Sequence, residues 1–221
     1  MKQIFFLLCI LFLVKAASSQ EVKINTNLAI ETDGTVRMDG AATVWDDLRI
    51  PLSEPSTGKV LPEWSGFPYG NNGSVPYINW FRASGIDEMY FVVQLPHDWN
   101  EGSDIFPHIH WVPSADGSGV PRWGLQYAWA NIGELFPGYS TIYGSVRIPG
   151  QTGNLVKSTQ YLTPLGTGIV GAGKNISSML VCRIFRDGDH ADDTFPGLAG
   201  ALEVDFHYER NTLGSRSEYT K

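Results

Sequence analysis

The stretch that decides the fold is Trp-Gly-Leu-Gln-Tyr-Ala-Trp, residues 123–129, in which large apolar side chains alternate with small or polar ones. Successive side chains of a β-strand point to opposite faces, so a strand here would present all of its large apolar groups on one side. These groups are Trp123, Leu125, Tyr127 and Trp129. The pattern predicts a strand with one face in a hydrophobic core.

Similar strands are predicted before and after this one. Residues 202–208 alternate in the same way, and residues 88–95 and 178–185 are the near-continuous apolar runs of buried strands. Gly, Pro, Asn and Asp separate these runs, as expected for about eight to ten short strands. We therefore predict an all-β, jelly-roll-like sandwich that forms a single domain over residues 45–221.

The size and charge of the chain limit the classes of function. Its 221 residues are 43% hydrophobic, which suffices for one substantial core. The formal net charge is −7, whereas a protein that binds nucleic acid needs clustered Lys and Arg to neutralise phosphates. No nucleic acid partner is expected.

The N-terminus has the plan of a secretory signal peptide over residues 1–19. Lys2 precedes an apolar run at residues 4–14, and small residues follow at 16–19. The apolar run has 11 residues, whereas about 20 are needed to span a bilayer. We predict a secreted, extracellular protein without stable membrane insertion.

Cleavage after this segment would leave 14 basic and 23 acidic residues, and Cys182 as the one cysteine. The mature chain could then form no internal disulfide, so its core or association with copies of itself must hold it together. Residues 20–44 are predicted to form an N-terminal arm or strand, either an edge strand or a contact with a neighbouring subunit.

Aromatic residues occur in and just after a long loop over residues 53–76. They are Trp64, Phe67, Tyr69 and Tyr77. Aromatic side chains bury large areas, so we expect them to cover a sheet edge, a subunit interface or a ligand.

His108 and His110 form a His-x-His pair on one strand face, about 6.6 Å apart at a strand rise of about 3.3 Å per residue. Imidazole is a common metal ligand, and His207 on another predicted strand is the natural third member of a metal site. Glu203 and Asp205 lie on the same face as His207.

Three interpretations of these histidines are open. The His-x-His spacing is similar to the cupin metal motif. In that motif a Glu follows about four residues later, whereas Trp111 and Val112 follow His110 here and residues 111–114 contain no Glu. Alternatively, His108 and His110 lie on a threefold axis, where three chains offer six imidazoles to one ion. In the third interpretation the histidines are half-buried and bonded to the backbone, Asp205 or Glu203.

No catalytic residues are predicted. The sequence contains no Gly-x-Ser-x-Gly motif and no phosphate-binding glycine loop before a helix. Cys182 lies in an apolar strand and is expected to be an inert buried thiol. We predict no cofactor other than a metal ion at the histidines.

Several segments together resemble a group of uncharacterised phage and prophage structural proteins of the tail or head. They are VWDDLRIPL at 44–52, QLPH at 94–97, GSDIFPHIHW at 102–111, DFHYE at 205–209 and TLGSRSEYTK at 212–221. The resemblance runs from Trp45 to the C-terminus and implies a β-rich component that works by assembly, with no enzymatic activity. The signal peptide departs from that pattern, because virion proteins assemble in the cytoplasm.

These observations predict a secreted structural protein, the subunit of an extracellular fibre, appendage or virion-like particle, that works as a homotrimer or higher oligomer. A carbohydrate-binding or adhesion module is the alternative, because exposed Trp and Tyr stack on sugars and would make a glycan the partner. A cupin-like metal-binding protein is the third hypothesis.

Overall fold

The computed structural model describes residues 20–52, 59–67 and 76–221. The predicted signal peptide and Tyr69 lie outside these residues. In the described part of the chain, no helix has the length and apolar character needed to cross a membrane.

The described residues form thirteen strands and one turn of 3-10 helix at Gly40–Ala42. The strands are β1 (Val22–Lys23), β2 (Leu28–Ile30), β3 (Val36–Met38), β4 (Val44–Pro51), β5 (Glu63–Gly66), β6 (Tyr77–Phe81), β7 (Ile86–Gln94), β8 (Phe106–Pro113), β9 (Trp123–Ala130), β10 (Ser140–Gly144), β11 (Tyr161–Pro164), β12 (Met179–Asp187) and β13 (Ala199–Arg210).

Two antiparallel sheets form the sandwich. One has the order β10-β9-β12-β7, and the other has the order β11-β8-β13-β6-β5 with β4 also paired to β13. The sandwich can be numbered as eight strands, with β4 and β6 together as strand 1 and β7 to β13 as strands 2 to 8. One sheet then has the order 1-8-3-6, and the other has the order 2-7-4-5. This is the strand order of a jelly roll, so the predicted all-β sandwich is confirmed.

The core lies between these two sheets and is rich in aromatic residues. Trp123 of β9 packs against Trp111 of β8 and Phe81 of β6, with ring centroids 6.5 and 5.1 Å away. Phe91 of β7 packs against Phe206 of β13 at 6.4 Å. The alternating residues of β9 thus supply one wall of the core, as their pattern predicts.

Strand β13 organises the six-stranded sheet. On one side it pairs with β8, and on the other with β6 over residues 199–201 and then with β4 over residues 203–210. The register with β8 shifts between Ala201 and Glu203, which marks a β-bulge. After this shift His108 lies opposite Asp205 and His110 opposite Glu203.

Two segments lie outside the eight sandwich strands. β1, β2 and β3 form a small sheet in the predicted N-terminal arm, attached to the C-terminal segment where the Met38 amide donates to the Asn211 carbonyl at 2.8 Å. Part of the predicted 53–76 loop is instead strand β5, because its backbone pairs with β6 at the sheet edge.

Candidate functional site

A cluster of histidines and carboxylates lies on the outer face of the six-stranded sheet, the face turned away from the core. Alternation along β13 puts Val204 and Phe206 in the core and Asp205 and His207 on the outer face, and the antiparallel register brings His108 of β8 beside Asp205. We call this set the histidine face; its members are Asp47, His108, His110, Asp205 and His207.

His108, His110 and Asp205 converge within one chain. The two Nε2 atoms are 3.2 Å apart, and the Asp205 Oδ2 atom lies 3.6 Å from His108 Nε2 and 3.3 Å from His110 Nε2. His108 and Asp205 are buried, at 3% and 4% exposure, whereas His110 is half-buried. Three polar atoms thus meet in a site largely shielded from solvent.

Asp205 carries the negative charge of this group. Burial by itself raises the pKa of the Asp205 carboxyl, but hydrogen bonds with His108 and His110 outweigh burial and hold that pKa well below its usual range. Its Oδ1 atom is buried and has no hydrogen-bond partner among the described residues. One oxygen of this buried carboxylate therefore lacks a partner, while the other faces the two histidines.

His207 belongs to a neighbouring group. Its Nδ1 atom contacts the Oδ1 atom of Asp47 on β4, and its ring lies 4.5 Å from the ring of His108. The ligand atoms of Asp47, His108 and His207 lie within 4.8 Å of one another, as do those of His108, His110 and Asp205. The three predicted histidines are therefore together, but Asp205 rather than His207 completes the tighter group around His110.

Neighbouring polar side chains hold the histidine face in place. The amide of Gln160 lies 2.7 Å from His110 Nδ1. Glu203, one of the two carboxylates predicted to bond the histidines, instead pairs with the Arg49 guanidinium at 2.9 Å. A cavity of about 190 Å³ borders His108 and His207 beneath residues 162–168. The arrangement can hold an ion or exchange a proton.

Three of the four predicted aromatic residues, Trp64, Phe67 and Tyr77, lie on or beside β5 and β6 at one edge of the sheet. Trp64 packs against Tyr77 with ring centroids 5.7 Å apart, and Phe67 stacks on Trp80 at 6.4 Å. Tyr77 remains 50% exposed. The described aromatics thus line a sheet edge, far along the chain from the histidines.

One surface feature was missed by the reasoning from sequence. Residues 131–139, between β9 and β10, form a loop that we call the apolar loop, and its large side chains face solvent. They are Ile132, Leu135, Phe136 and Tyr139, with exposures of 64%, 94%, 42% and 67%. The sequence does contain four large apolar residues in a short segment between two strands. The glycines among them give the segment the composition of an ordinary loop.

No family model matches the chain, and no curated protein matches it.

Proposed function

We propose that this protein is a secreted structural subunit that assembles with copies of itself, and that the apolar loop is a contact surface of that assembly. The observation that carries the proposal is the exposure of the loop's apolar side chains, above all Leu135 at 94%. Contiguous exposed apolar groups are typical of protein interaction sites.

Hydrogen bonds hold the first part of the apolar loop, residues 131–134, which favours an interface. The Asn131 side chain donates to the Gly173 carbonyl at 2.9 Å and accepts from the Asn175 amide at 3.0 Å. The Glu134 carboxylate accepts from both the backbone and side-chain nitrogens of Asn131 at 3.1 Å. A loop that is already ordered loses little entropy when it binds a partner.

The surroundings of the loop suit a second copy of the same chain. Glu134 is paired with Lys174 at 3.5 Å, so the patch carries no net charge that would repel its own copy. Pro137 and Gly138 share a surface depression with Val170, which is itself 68% exposed and extends the apolar area. An apolar, uncharged centre with a polar rim is the usual anatomy of such an interface.

The test is the mass of the native particle at micromolar concentration, measured by analytical ultracentrifugation. We expect a trimer or larger species for the wild type, and at least tenfold weaker association for Leu135→Asp, because the aspartate would be desolvated at the contact. Leu213→Asp is the matched control, since Leu213 is also exposed, at 69%, but lies in the C-terminal segment.

A monomeric wild type over the whole concentration range would contradict the assembly proposal. Assembly that Leu135→Asp leaves unchanged would show that the contact lies elsewhere and remove the loop from the proposal. Circular dichroism of both variants controls for folding.

Carbohydrate binding is a second candidate, supported by one aromatic concavity. Trp45, Phe106 and His207 line a shallow apolar depression of about 290 Å³, and Trp45 is 60% exposed. The Trp45 and Phe106 rings meet edge to face at 73°, so they do not form a flat stacking platform. A glycan array that shows binding lost in Trp45→Ala would favour this function over assembly alone.

A further inference from the structure

We infer that His108, His110 and Asp205 form a binding site for a divalent transition-metal ion, with zinc as the best fit. The site lies within one chain and does not depend on the proposed assembly. Two imidazoles and one carboxylate are a donor set that suits zinc and its neighbours in the first transition row, whereas Mg²⁺ and Ca²⁺ prefer oxygen ligands.

The spacing of the three donor atoms is the first argument. His108 Nε2, His110 Nε2 and Asp205 Oδ2 form a triangle with sides of 3.2, 3.3 and 3.6 Å. Ligands at about 2.0–2.1 Å from a tetrahedral zinc ion are separated from each other by about 3.3–3.4 Å. The three atoms therefore match three corners of such a tetrahedron with little movement.

The unpartnered Asp205 oxygen is the second, independent argument. Asp205 is only 4% exposed, and its Oδ1 atom lacks a hydrogen-bond partner among the described residues. A buried acceptor without a partner is costly and calls for an explanation such as an ion. An ion bound at Oδ2 would compensate the negative charge of this buried, incompletely bonded carboxylate.

Gln160 supplies the outer support that metal-binding histidines usually have. Its amide lies 2.7 Å from His110 Nδ1. The atom facing Nδ1 is the amide nitrogen of Gln160. When an ion binds Nε2, the ring proton of neutral His110 sits on Nδ1, and a half-turn of the Gln160 amide would bring its carbonyl oxygen to accept that proton. Gln160 is therefore a positioning residue for His110.

His207 and Asp47 are not required by this site. His207 already has Asp47 as its partner, and its side chain is 46% exposed. This separates the proposal from a site built on the three histidines, and it provides an internal control.

The experiment measures Zn²⁺ bound to the full chain, by elemental analysis after dialysis and by competition with a chromophoric chelator. We expect one ion per chain. Asp205→Asn preserves the shape of the side chain and His110→Ala changes a half-buried residue; each should weaken binding at least tenfold, while His207→Ala and the loop variant His190→Ala should change affinity less than threefold.

A second readout guards against a variant that misfolds. Co²⁺ in place of Zn²⁺ should give the visible absorption of a tetrahedral ion in the wild type, and Gln160→Ala, which removes no ligand, should weaken binding without abolishing that spectrum. The Leu135→Asp variant should still bind one ion per chain, which distinguishes failure of assembly from failure of this site.

Three results would overturn the inference. The first is a wild type that binds no stoichiometric Zn²⁺, and the second is a folded Asp205→Asn variant with unchanged affinity. The third is one ion per three chains that is lost on dissociation, which would place the histidines on a threefold axis.

Discussion

Cys182 shows how burial decides the chemistry of a single residue. Its thiol is 1% exposed, and burial raises its pKa to about 12, so the reactive thiolate does not form at neutral pH. In a variant in which Cys9 of the predicted signal peptide is replaced by Ser, Cys182 is the one remaining cysteine. We expect no reaction of this native protein with Ellman's reagent at pH 8 and one thiol per chain after unfolding in urea. Rapid labelling of the native protein would contradict this burial.

The raised pKa also predicts how stability depends on alkaline pH. The unfolded thiol ionises near its ordinary pKa of about 8.5, whereas the folded thiol keeps its proton up to about pH 12. The stability contributed by Cys182 is therefore complete below the unfolded pKa and falls as pH rises towards the folded pKa, by at most about 1.4 kcal/mol per pH unit. Urea unfolding of the wild type and Cys182→Ala between pH 8 and 11 measures this: the wild type should lose more stability, and parallel losses would contradict the assignment.

The residues of the histidine face were only partly predictable. The period of two along a strand places His108 and His110 on one face of β8, and Asp205 and His207 on one face of β13, and the structure agrees. Which of the latter two meets His110 depends on the register between β8 and β13 and on the bulge between Ala201 and Glu203. Register between strands so far apart in sequence is set by tertiary packing, so the sequence alone left the partner open.

At the scale of elements, strand β12 carries a buried ion pair into the core. Arg186 is fully buried, and its guanidinium donates to the Asp193 carboxylate at 2.7 and 2.8 Å. It also donates to the backbone carbonyls of Phe81 at 3.1 Å and Gly197 at 2.6 Å, so each charge is compensated. The loop after β12 is tied to the sandwich by this pair.

Breaking that pair should be strongly destabilising. Asp193→Asn leaves the Arg186 charge buried with incomplete compensation, and we expect a loss of about 3–5 kcal/mol in the free energy of unfolding. Arg49→Met is the control: Arg49 pairs with Glu203, but its side chain is 69% exposed, so the expected loss is below about 1 kcal/mol. Urea denaturation midpoints give both values, and similar losses in the two variants would contradict the argument.

Some strands are predictable from the sequence and others are not, and the difference has a physical reason. Strands β9 and β13 have one face in the core and one outside it, so their alternation is visible in the sequence. The sequence predicts a loop at β5, because pairing with β6 makes this segment a strand and its own composition does not. The acidic loop after β12 has no local pattern that shows Asp193 to be buried against Arg186, because that burial depends on packing against other elements.

At the scale of the whole molecule, the jelly-roll order was predictable as an architecture but does not assign a function. The same order serves capsid proteins, lectins and cupins. The proposed self-association, zinc binding and glycan binding rest on different residues: the apolar loop, the group of His108, His110 and Asp205, and the depression beside Trp45. The variants Leu135→Asp, Asp205→Asn and Trp45→Ala therefore test three independent properties.

The central position of β13 also decides when the chain can fold. Since β13 pairs with β4, β6 and β8, the six-stranded sheet lacks its central strand until residues 199–210 have left the ribosome. We expect a chain that ends at residue 198 to show the tryptophan fluorescence and circular dichroism of an unfolded protein, whereas one that ends at residue 213 folds. A folded shorter chain would contradict this.

Long-range strand pairing of this kind also makes folding slow, because distant segments must meet before any contact stabilises them. We therefore expect the nascent chain to stay unfolded at least until β13 has been made. For the secretion proposed above, this delay would keep the chain in the unfolded form that a narrow translocation channel admits.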